Sequence, residues 1–198
     1  MPVVTRETPT DAHQRLQSDD QLAALIDRHG YLVIEPAEDP FRRLVRAIGR
    51  QQVSMESAAA TWERLTDQFE VTPTAIRAAD TEALKAVGLS TAKSDYVKNV
   101  AQAFADRGWD RAFFAEQSSE AVVDELTDIH GVGPWTANMF LMFGLGREDV
   151  FPVEDLGIRQ AMESLYAVET RAAMRNKATA WAPYRSIGSL YLWRYGDE

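Results

Sequence analysis

The chain has 198 residues, of which 45% are hydrophobic and none is cysteine. This length and apolar content indicate a globular protein and exclude a disordered one, and the lack of cysteine excludes disulfides, Cys-ligated zinc and Cys-ligated iron–sulfur clusters. The N-terminal segment does not resemble a signal peptide, and the longest apolar stretches are too short to span a bilayer. We therefore expect a cytoplasmic protein without a membrane partner.

The net charge of −9 counts against a nucleic-acid partner, because free-standing DNA-binding domains are usually basic. The charge is uneven: residues 1–130 hold 14 Lys and Arg against 22 Asp and Glu, whereas residues 131–198 hold 7 against 8. The chain also has 17 Arg and only 4 Lys, and an acidic surface poor in lysine suggests a high-salt cytoplasm. Salt screens the attraction of phosphates, so we expect DNA affinity to depend on shape, backbone donors and stacking.

The N-terminal third begins with a polar segment. Residues 1–18 are expected to form an N-terminal arm, so that the folded domain covers residues 19–198. The stretch DDQLAALIDRHG places its Leu and Ile side chains on one helical face and ends at Gly30. Residues 30–36, GYLVIEP, form the only candidate strand, and a single strand has no partner.

Helical patterns continue along the rest of the chain. Residues 41–69 form a long helical stretch that Gly49 and the polar pair Gln51–Gln52 are expected to divide in two. Gly88 is expected to end a later helix. Three threonines are candidate caps of the short helices in between: Thr72, Thr74 and Thr81. We predict an all-α fold of about ten helices.

Two predicted helices flank the tetrapeptide HGVG within LTDIHGVGPWTANMF, residues 126–140. Gly131 and Gly133 permit positive φ and leave no side chain between the turn and an approaching partner. The amides of the turn and of the next helix would then point outward, which suits a DNA phosphate. Pro134 fits the first turn of that helix. An ordinary helix–helix connection explains this pattern about equally well.

Asp155 directly precedes a helical pattern in DVFPVEDLGIRQAM, residues 149–162. An Asp at this position is most often an N-cap that accepts an amide hydrogen bond from residue 157 or 158, and a cap also holds its carboxylate at a helix end. Glu154 is the competing carboxylate, and we expect it to be solvated. Aromatic side chains crowd the C-terminal third, where at least two are expected in the core and the others can stack on a flat, electron-poor base: Trp135, Trp181, Tyr184, Tyr191 and Trp193.

Taken together, these segments resemble the helix-hairpin-helix DNA glycosylase superfamily and, more narrowly, the 3-methyladenine DNA glycosylase II enzymes. The resemblance rests on HGVGPWTANMFLMFGLGREDVFPVEDLGIRQ and WAPYRSIGSLYLW, with further matches in DPFRRLVRAIGRQQVS and GLSTAKSDYVKNVA. It covers residues from about 20 to 195 and implies two lobes with a cleft between them. It also implies a monomer, and the compact helical version of the fold without the N-terminal sheet domain of some relatives.

The resemblance implies roles for individual residues. Asp155 matches the essential aspartate of the family. Trp135 occupies the position of the lysine that attacks the sugar in lyase-type relatives, which implies a hydrolase without strand cleavage. The implied base pocket consists of Trp135, Met139, Trp193 and Gln51. The implied DNA contacts are Gly131, Val132, Gly133, Gln52 and Thr136.

Three details depart from the family pattern or extend it. Gln52 lies near the residue that wedges into the duplex, where some relatives carry an apolar side chain. Met139 replaces an aromatic residue, which leaves base preference open. The backbone carbonyls of Thr127, Ile129 and Val132 match a monovalent-cation site of some members, and no other cofactor is expected.

Cleavage of the N-glycosidic bond of an alkylated purine needs only a few protein groups. Breaking an N-glycosidic bond builds positive charge on the sugar, and a carboxylate beside it stabilises that charge and can orient water. An N3- or N7-alkylated purine is already cationic, so it leaves without an acid, once flipped out of the duplex. We therefore expect a monofunctional DNA glycosylase that removes alkylated purines of the 3-methyladenine type from double-stranded DNA in base excision repair.

Three alternatives stay open at this point. The chain can be a non-catalytic helix-hairpin-helix module that binds DNA shape or recruits a partner, although such a module does not need Asp155. It can be a lyase-type or mismatch-specific glycosylase, which Trp135 and the absence of Cys ligands oppose. It can also be a helical protein with no nucleic-acid role, which the net charge favours and the three matching segments oppose.

Overall fold

The computed structural model describes residues 3–196, so residues 1 and 2 of the predicted arm and residues 197 and 198 of the predicted domain lie outside it. The described chain divides into two compact units, in agreement with the two predicted lobes. The terminal unit comprises the described residues up to Pro36 and those from Gly146 onward, and the inserted unit is Ala37–Leu145.

Residues 3–196 form thirteen α-helices and two short strands, which confirms the all-α prediction with more helices than expected. The terminal unit begins with β1 (Val3–Arg6), α1 (Asp11–Leu16), α2 (Asp20–His29) and β2 (Tyr31–Ile34). The inserted unit contains α3 (Pro40–Gly49), α4 (Met55–Gln68), α5 (Pro73–Ala78), α6 (Thr81–Ala86), α7 (Thr91–Arg107), α8 (Arg111–Ala115), α9 (Ser119–Thr127) and α10 (Pro134–Phe143). The terminal unit resumes with α11 (Leu156–Tyr166), α12 (Arg171–Ala178), a 3-10 turn (Thr179–Trp181) and α13 (Arg185–Gly196). None of the helices in this described part of the chain has the length and apolar content needed to cross a membrane.

The N-terminal segment is folded and does not form a loose arm. β1 pairs with β2 in an antiparallel register that places Val3 opposite Ile34. α1 then buries His13 and Leu16 completely. The predictions of a polar arm and of a strand without a partner are therefore wrong. A four-residue strand is too short for its alternation to be recognised, and a few buried side chains are enough to hold α1 in place.

His13 connects α1 to β2 as a neutral histidine. The backbone N–H of Thr10 donates to Nδ1 of His13 at 3.0 Å, so Nε2 carries the proton and donates to the Leu32 carbonyl at 3.0 Å. Burial lowers the pKa of His13, and the Leu32 carbonyl opposes this effect only in part. The cationic form is therefore disfavoured in the folded protein.

In the inserted unit, α3 and α4 are separated where the break was predicted. Asp39 caps α3 and Pro40 occupies its first helical position. Gln52 has φ of 54°, a left-handed conformation that a right-handed helix does not contain. Ser54 then caps α4. The polar loop between the two helices follows from these local signals.

The caps of the next two helices agree only in part with the predictions. Thr72 caps α5 as predicted, whereas Thr74 lies inside that helix. Asp80 caps α6, and Thr81 is the first residue of the helix. Gly88 has φ of 108°, a conformation outside the right-handed helix, and it ends α6 as predicted.

α10 is an apolar helix at the centre of the inserted unit. Seven of its ten residues are buried: Thr136, Ala137, Met139, Phe140, Leu141, Met142 and Phe143. The helix packs against α3 and α9. A helix that is apolar on all sides is held by its neighbours, so this packing fixes the start of α10, where the predicted hairpin lies.

Candidate active site

Asp155 is the N-cap of α11, as the sequence predicted. Its Oδ1 accepts a hydrogen bond from the Ile158 backbone N–H at 3.1 Å and another from the Trp193 indole Nε1–H at 2.9 Å. The side chain is half-buried. These two donors hold the carboxylate in one orientation at the positive end of a helix, where a negative charge is stabilised.

Trp193 reaches Asp155 from α13, which packs against α11. Gly157, the second residue of α11, lies between them. A Cβ atom at position 157 would be 3.3 Å from Asp155 Oδ1 and 3.4 Å from Trp193 Cδ1. The glycine therefore leaves room for the bond between indole and carboxylate. Sequence reasoning missed this residue, although a glycine two positions after a cap was the available signal.

Glu154, the competing carboxylate, is engaged in an ion pair. Its Oε1 lies 2.8 Å from Arg175 Nη2. Its backbone carbonyl accepts a hydrogen bond from Arg159 at 2.7 Å. The expectation that Glu154 is solvated is therefore wrong, because α12 brings an arginine to it. This pairing gives Glu154 a structural role, whereas Asp155 accepts hydrogen bonds from the Ile158 amide and the Trp193 indole.

The segment that leads to Asp155 is tied to the start of α13. The Arg185 guanidinium makes two hydrogen bonds to the Asp149 carboxylate, at 2.6 and 2.8 Å, and it holds the pKa of Asp149 below its usual value. Ser186 Oγ donates to the Arg147 carbonyl at 2.7 Å and accepts from the Val150 N–H at 2.9 Å. These bonds fix the chain just before Asp155, so the position of the carboxylate does not depend on its cap alone.

The predicted hairpin connects α9 to α10 in the inserted unit. Gly131 has φ of 102°, and a Cβ atom there would lie 2.1 Å from Cγ of Tyr96. Gly133 has φ of −97°, so only Gly131 uses the positive φ that both glycines permit. A Cβ atom on Gly133 would meet nothing within 4 Å. Gly131 is thus required inside the turn, whereas Gly133 keeps its outer surface clear.

Gln51 anchors the hairpin from the loop that follows α3. Its amide nitrogen donates to the Gly131 carbonyl at 3.0 Å and to Thr136 Oγ1 at 2.9 Å. Asn99 adds a hydrogen bond to the His130 carbonyl at 3.2 Å. The Thr136 side chain is buried, so a contact between this residue and DNA would have to come from its backbone amide in the first turn of α10. The base-pocket role of Gln51 and the DNA contact of Thr136 both stay predictions.

The remaining predicted residues differ in exposure. Trp135 is half-buried, Val132 is buried, and Met139 is only 5% exposed, which places most of its side chain in the core of the inserted unit. Gln52 is exposed, and apolar Val53 follows it with 44% exposure. An exposed apolar side chain thus lies next to the predicted wedge position.

The structure brings the predicted site residues together as two sets. Asp155 and Trp193 are in contact within the terminal unit. Gln51 contacts the hairpin within the inserted unit, which also contains Trp135 and Met139. A single pocket and a cleft formed by both sets stay predictions.

The three carbonyls predicted to bind a monovalent cation lie at the end of α9 and in the turn. α9 ends at Thr127, so the Thr127 carbonyl is among those that lack an intrahelical partner. The Ile129 carbonyl accepts one hydrogen bond, from the Val132 N–H at 3.0 Å, which leaves one lone pair. Hard cations prefer oxygen ligands, so the chemistry of these carbonyls suits such an ion, and the cation site stays a prediction. Among residues 3–196, no group of three His, Cys, Asp or Glu side chains is arranged to hold a metal.

The family model described as "HhH-GPD superfamily base excision DNA repair protein" matches residues 45–185. This range contains the Gln51 loop, the hairpin and Asp155. The chain belongs to the HhH-GPD superfamily. The helix-hairpin-helix resemblance inferred from the sequence is thereby confirmed.

Curated relatives of this HhH-GPD protein include two DNA-3-methyladenine glycosylases. It is 34% identical over 166 residues to DNA-3-methyladenine glycosylase 1 of Schizosaccharomyces pombe, a match that covers 79% of this chain and 72% of the relative. It is 32% identical over 167 residues to DNA-3-methyladenine glycosylase 2 of Escherichia coli, a match that covers 78% of this chain and 57% of the relative.

Two solved structures of 3-methyladenine glycosylases superpose on this chain over most of its length. The S. pombe 3-methyladenine DNA glycosylase in complex with abasic DNA superposes with a TM-score of 0.86 and 29% identity, over 96% of this chain and 98% of that one. A DNA-3-methyladenine glycosidase from Bacillus halodurans superposes with a TM-score of 0.82 and 29% identity, over 99% and 93% of the two chains.

Proposed function

We propose that this HhH-GPD protein is a monofunctional DNA glycosylase that hydrolyses the N-glycosidic bond of alkylated purines in double-stranded DNA, as a step of base excision repair. The observation that carries the proposal is the Asp155 carboxylate, held at the start of α11 by the Ile158 amide and the Trp193 indole. The names of the matched relatives support the same reaction and the same class of lesion.

Asp155 stabilises the positive charge that develops on the sugar as the base leaves. Its two hydrogen bonds fix the carboxylate before the reaction, so little reorganisation is needed in the transition state. The same carboxylate can orient the water that attacks the anomeric carbon. Both bonds go to Oδ1, and they restrain the orientation of the whole carboxylate.

The leaving base needs no general acid when it is already cationic. N3- and N7-alkylated purines carry a positive charge in the intact nucleoside and leave as neutral bases. We expect 3-methyladenine and 7-methylguanine to be released faster than hypoxanthine, which is neutral. Trp135 at the start of α10 has no amine, so no Schiff base forms and the DNA backbone is left intact.

The hairpin is the proposed contact to the DNA backbone. No side chain caps α10 at its N-terminus, and its N-cap residue Gly133 is exposed. Amides at an uncapped helix start attract phosphate oxygens. A monovalent cation held by the carbonyls of Thr127, Ile129 and Val132 would supply positive charge beside this turn. We propose that the protein acts as a monomer in the cytoplasm.

The experiment is base release from methylated duplex DNA at low and high salt, with abasic sites cleaved by alkali only afterwards. Asp155→Asn is the decisive variant, because Asn is as good an N-cap as Asp and keeps the fold. We expect it to bind DNA but to lose activity by a factor of about 100 to 1,000. The matched control is Asp80→Asn, which changes the cap of α6 in the same way and should keep full activity.

Two results would contradict the proposal. Strand breaks before alkali treatment would show lyase activity and contradict the role proposed for Trp135. No base release by wild-type protein that is folded and binds DNA would leave a binding module as the better description.

A further inference from the structure

α3 carries a cluster of arginines around a cavity in the inserted unit. The cavity has a volume of about 290 Å³. Its polar and aromatic lining comes from the start of α3, the residues just before it, and α4: Glu38, Asp39, Arg42, Arg43, Arg46 and Trp62. None of these residues belongs to the predicted glycosylase site.

Arg43 is the unusual member of this cluster. Its side chain is only 6% exposed, and its Nε has no hydrogen-bond partner. The guanidinium lies over the Phe143 ring, 5.1 Å from its centroid. Burial, with repulsion from Arg50 and Arg46, lowers the pKa of Arg43 to about 9, so the group is still a cation at neutral pH. A buried cation without a bound counter-ion is strongly disfavoured.

The other two arginines are held in place beside it. The Arg42 and Arg46 guanidiniums lie 5.7 and 5.5 Å from the centroid of the Trp62 ring. Like charges at this i,i+4 spacing repel each other, and the shared aromatic ring offsets that repulsion. The two long side chains are therefore already ordered before any ligand binds.

The carboxylates at the rim do not neutralise the arginines. Asp39 Oδ1 accepts the hydrogen bond from the Arg42 backbone N–H that caps α3, and Glu38 is exposed. Within residues 3–196, no carboxylate oxygen lies within 4.0 Å of the guanidinium nitrogens of Arg42, Arg43 or Arg46. Three cations thus face two anions, in a protein whose net charge is −9.

We propose that this arginine cavity is a binding site for a phosphate group. Planar guanidinium groups present paired N–H donors that match the spacing of phosphate oxygens. The cavity, at about 290 Å³, is large enough for a phosphate and part of the group attached to it. The phosphate comes either from a small molecule or from the DNA backbone.

Calorimetric titration of the full-length protein with potassium phosphate, at constant ionic strength, tests the first source. Arg46→Gln removes an exposed cation and is not expected to affect folding. Arg43→Met replaces the buried, charged side chain with a long apolar one. Arg77→Gln, an exposed arginine of α5 outside the cavity, is the matched control. We expect one phosphate per chain, about tenfold weaker binding in the two cavity variants, and no change in the control.

Fluorescence anisotropy with an undamaged duplex, over a range of salt concentrations, tests the second source. If the cavity binds the DNA backbone, Arg46→Gln weakens duplex binding and lowers the salt dependence by about one phosphate contact. If the phosphate belongs to a small molecule, Arg46→Gln leaves duplex affinity unchanged while it weakens phosphate binding about tenfold. The proposal is overturned if neither titration distinguishes Arg46→Gln from Arg77→Gln. Neither assay measures base release, so this outcome is independent of the proposed glycosylase activity.

Discussion

Gly157→Ala should separate activity from stability. A Cβ atom at position 157 would approach Asp155 Oδ1 to 3.3 Å and touch Trp193 Cδ1 at 3.4 Å, so the carboxylate must shift by a few tenths of an ångström. The 2.9 Å hydrogen bond between carboxylate and indole would then lengthen toward the upper end of the normal range, about 3.2 Å, and weaken. Complete loss of a hydrogen bond to a charged group costs about 1.5–3 kcal/mol, and about 1.4 kcal/mol in the transition state is a tenfold change in rate. We expect about tenfold slower base release.

The stability of the same variant should change in the other direction. Alanine is roughly 0.5–1 kcal/mol more favourable than glycine within a helix, so the Tm should stay equal or rise. The measurements are single-turnover base release from methylated duplex DNA and thermal unfolding by circular dichroism. Gly49→Ala is the control, because its Cβ meets nothing within 4 Å. Release by Gly157→Ala within twofold of the wild-type rate, with DNA binding intact, would refute the role assigned to the bond between indole and carboxylate.

Three further predictions concern the hairpin, the N-terminal segment and the arginine cavity. Gly131→Ala should lower the free energy of unfolding by at least about 1–3 kcal/mol in denaturant titrations, because φ is 102° and the Cβ would lie 2.1 Å from Tyr96. Gly133→Ala should unfold like wild type but bind duplex DNA more weakly, and equal losses of stability in the two variants would contradict this account. Because burial lowers the pKa of His13, this histidine binds a proton more readily in the unfolded chain than in the folded protein. The free energy of unfolding should therefore have its full value above about pH 6.5 and fall as the pH falls below it. Thermal unfolding from about pH 5 to about pH 8 should show a smaller decline in His13→Gln, and parallel curves would exclude this histidine as the cause. Arg43→Met should raise the Tm in phosphate-free buffer, because an apolar side chain replaces a buried cation, and a lower Tm there would show that the charge is already compensated.

The helix caps, the helix ends and the fold class could be predicted from the sequence, because they depend on residues close together in the chain. Helix caps and helix ends depend on side chains within three or four residues of one another. For that reason the Asp155 cap, the Thr72 cap and the break near Gln52 agree with the structure. The apolar patterns with helical period likewise predicted the fold class, since each helix buries its own stripe of side chains.

Tertiary structure decided which distant groups meet. The N-terminal strand needed a partner about thirty residues away, and its four residues, VVTR, contained no sign of one. Glu154 was taken for a solvated residue because Arg175 is remote in sequence and reaches it only through the packing of α12. The burial of Arg43 could not be foreseen either, because an arginine on a helix is normally exposed and only the packing of the inserted unit encloses this one. The sequence by itself determined the local conformations and the carboxylate at the start of α11. The partners of that carboxylate and the burial of Arg43 in α3 depend on contacts between residues far apart in the chain.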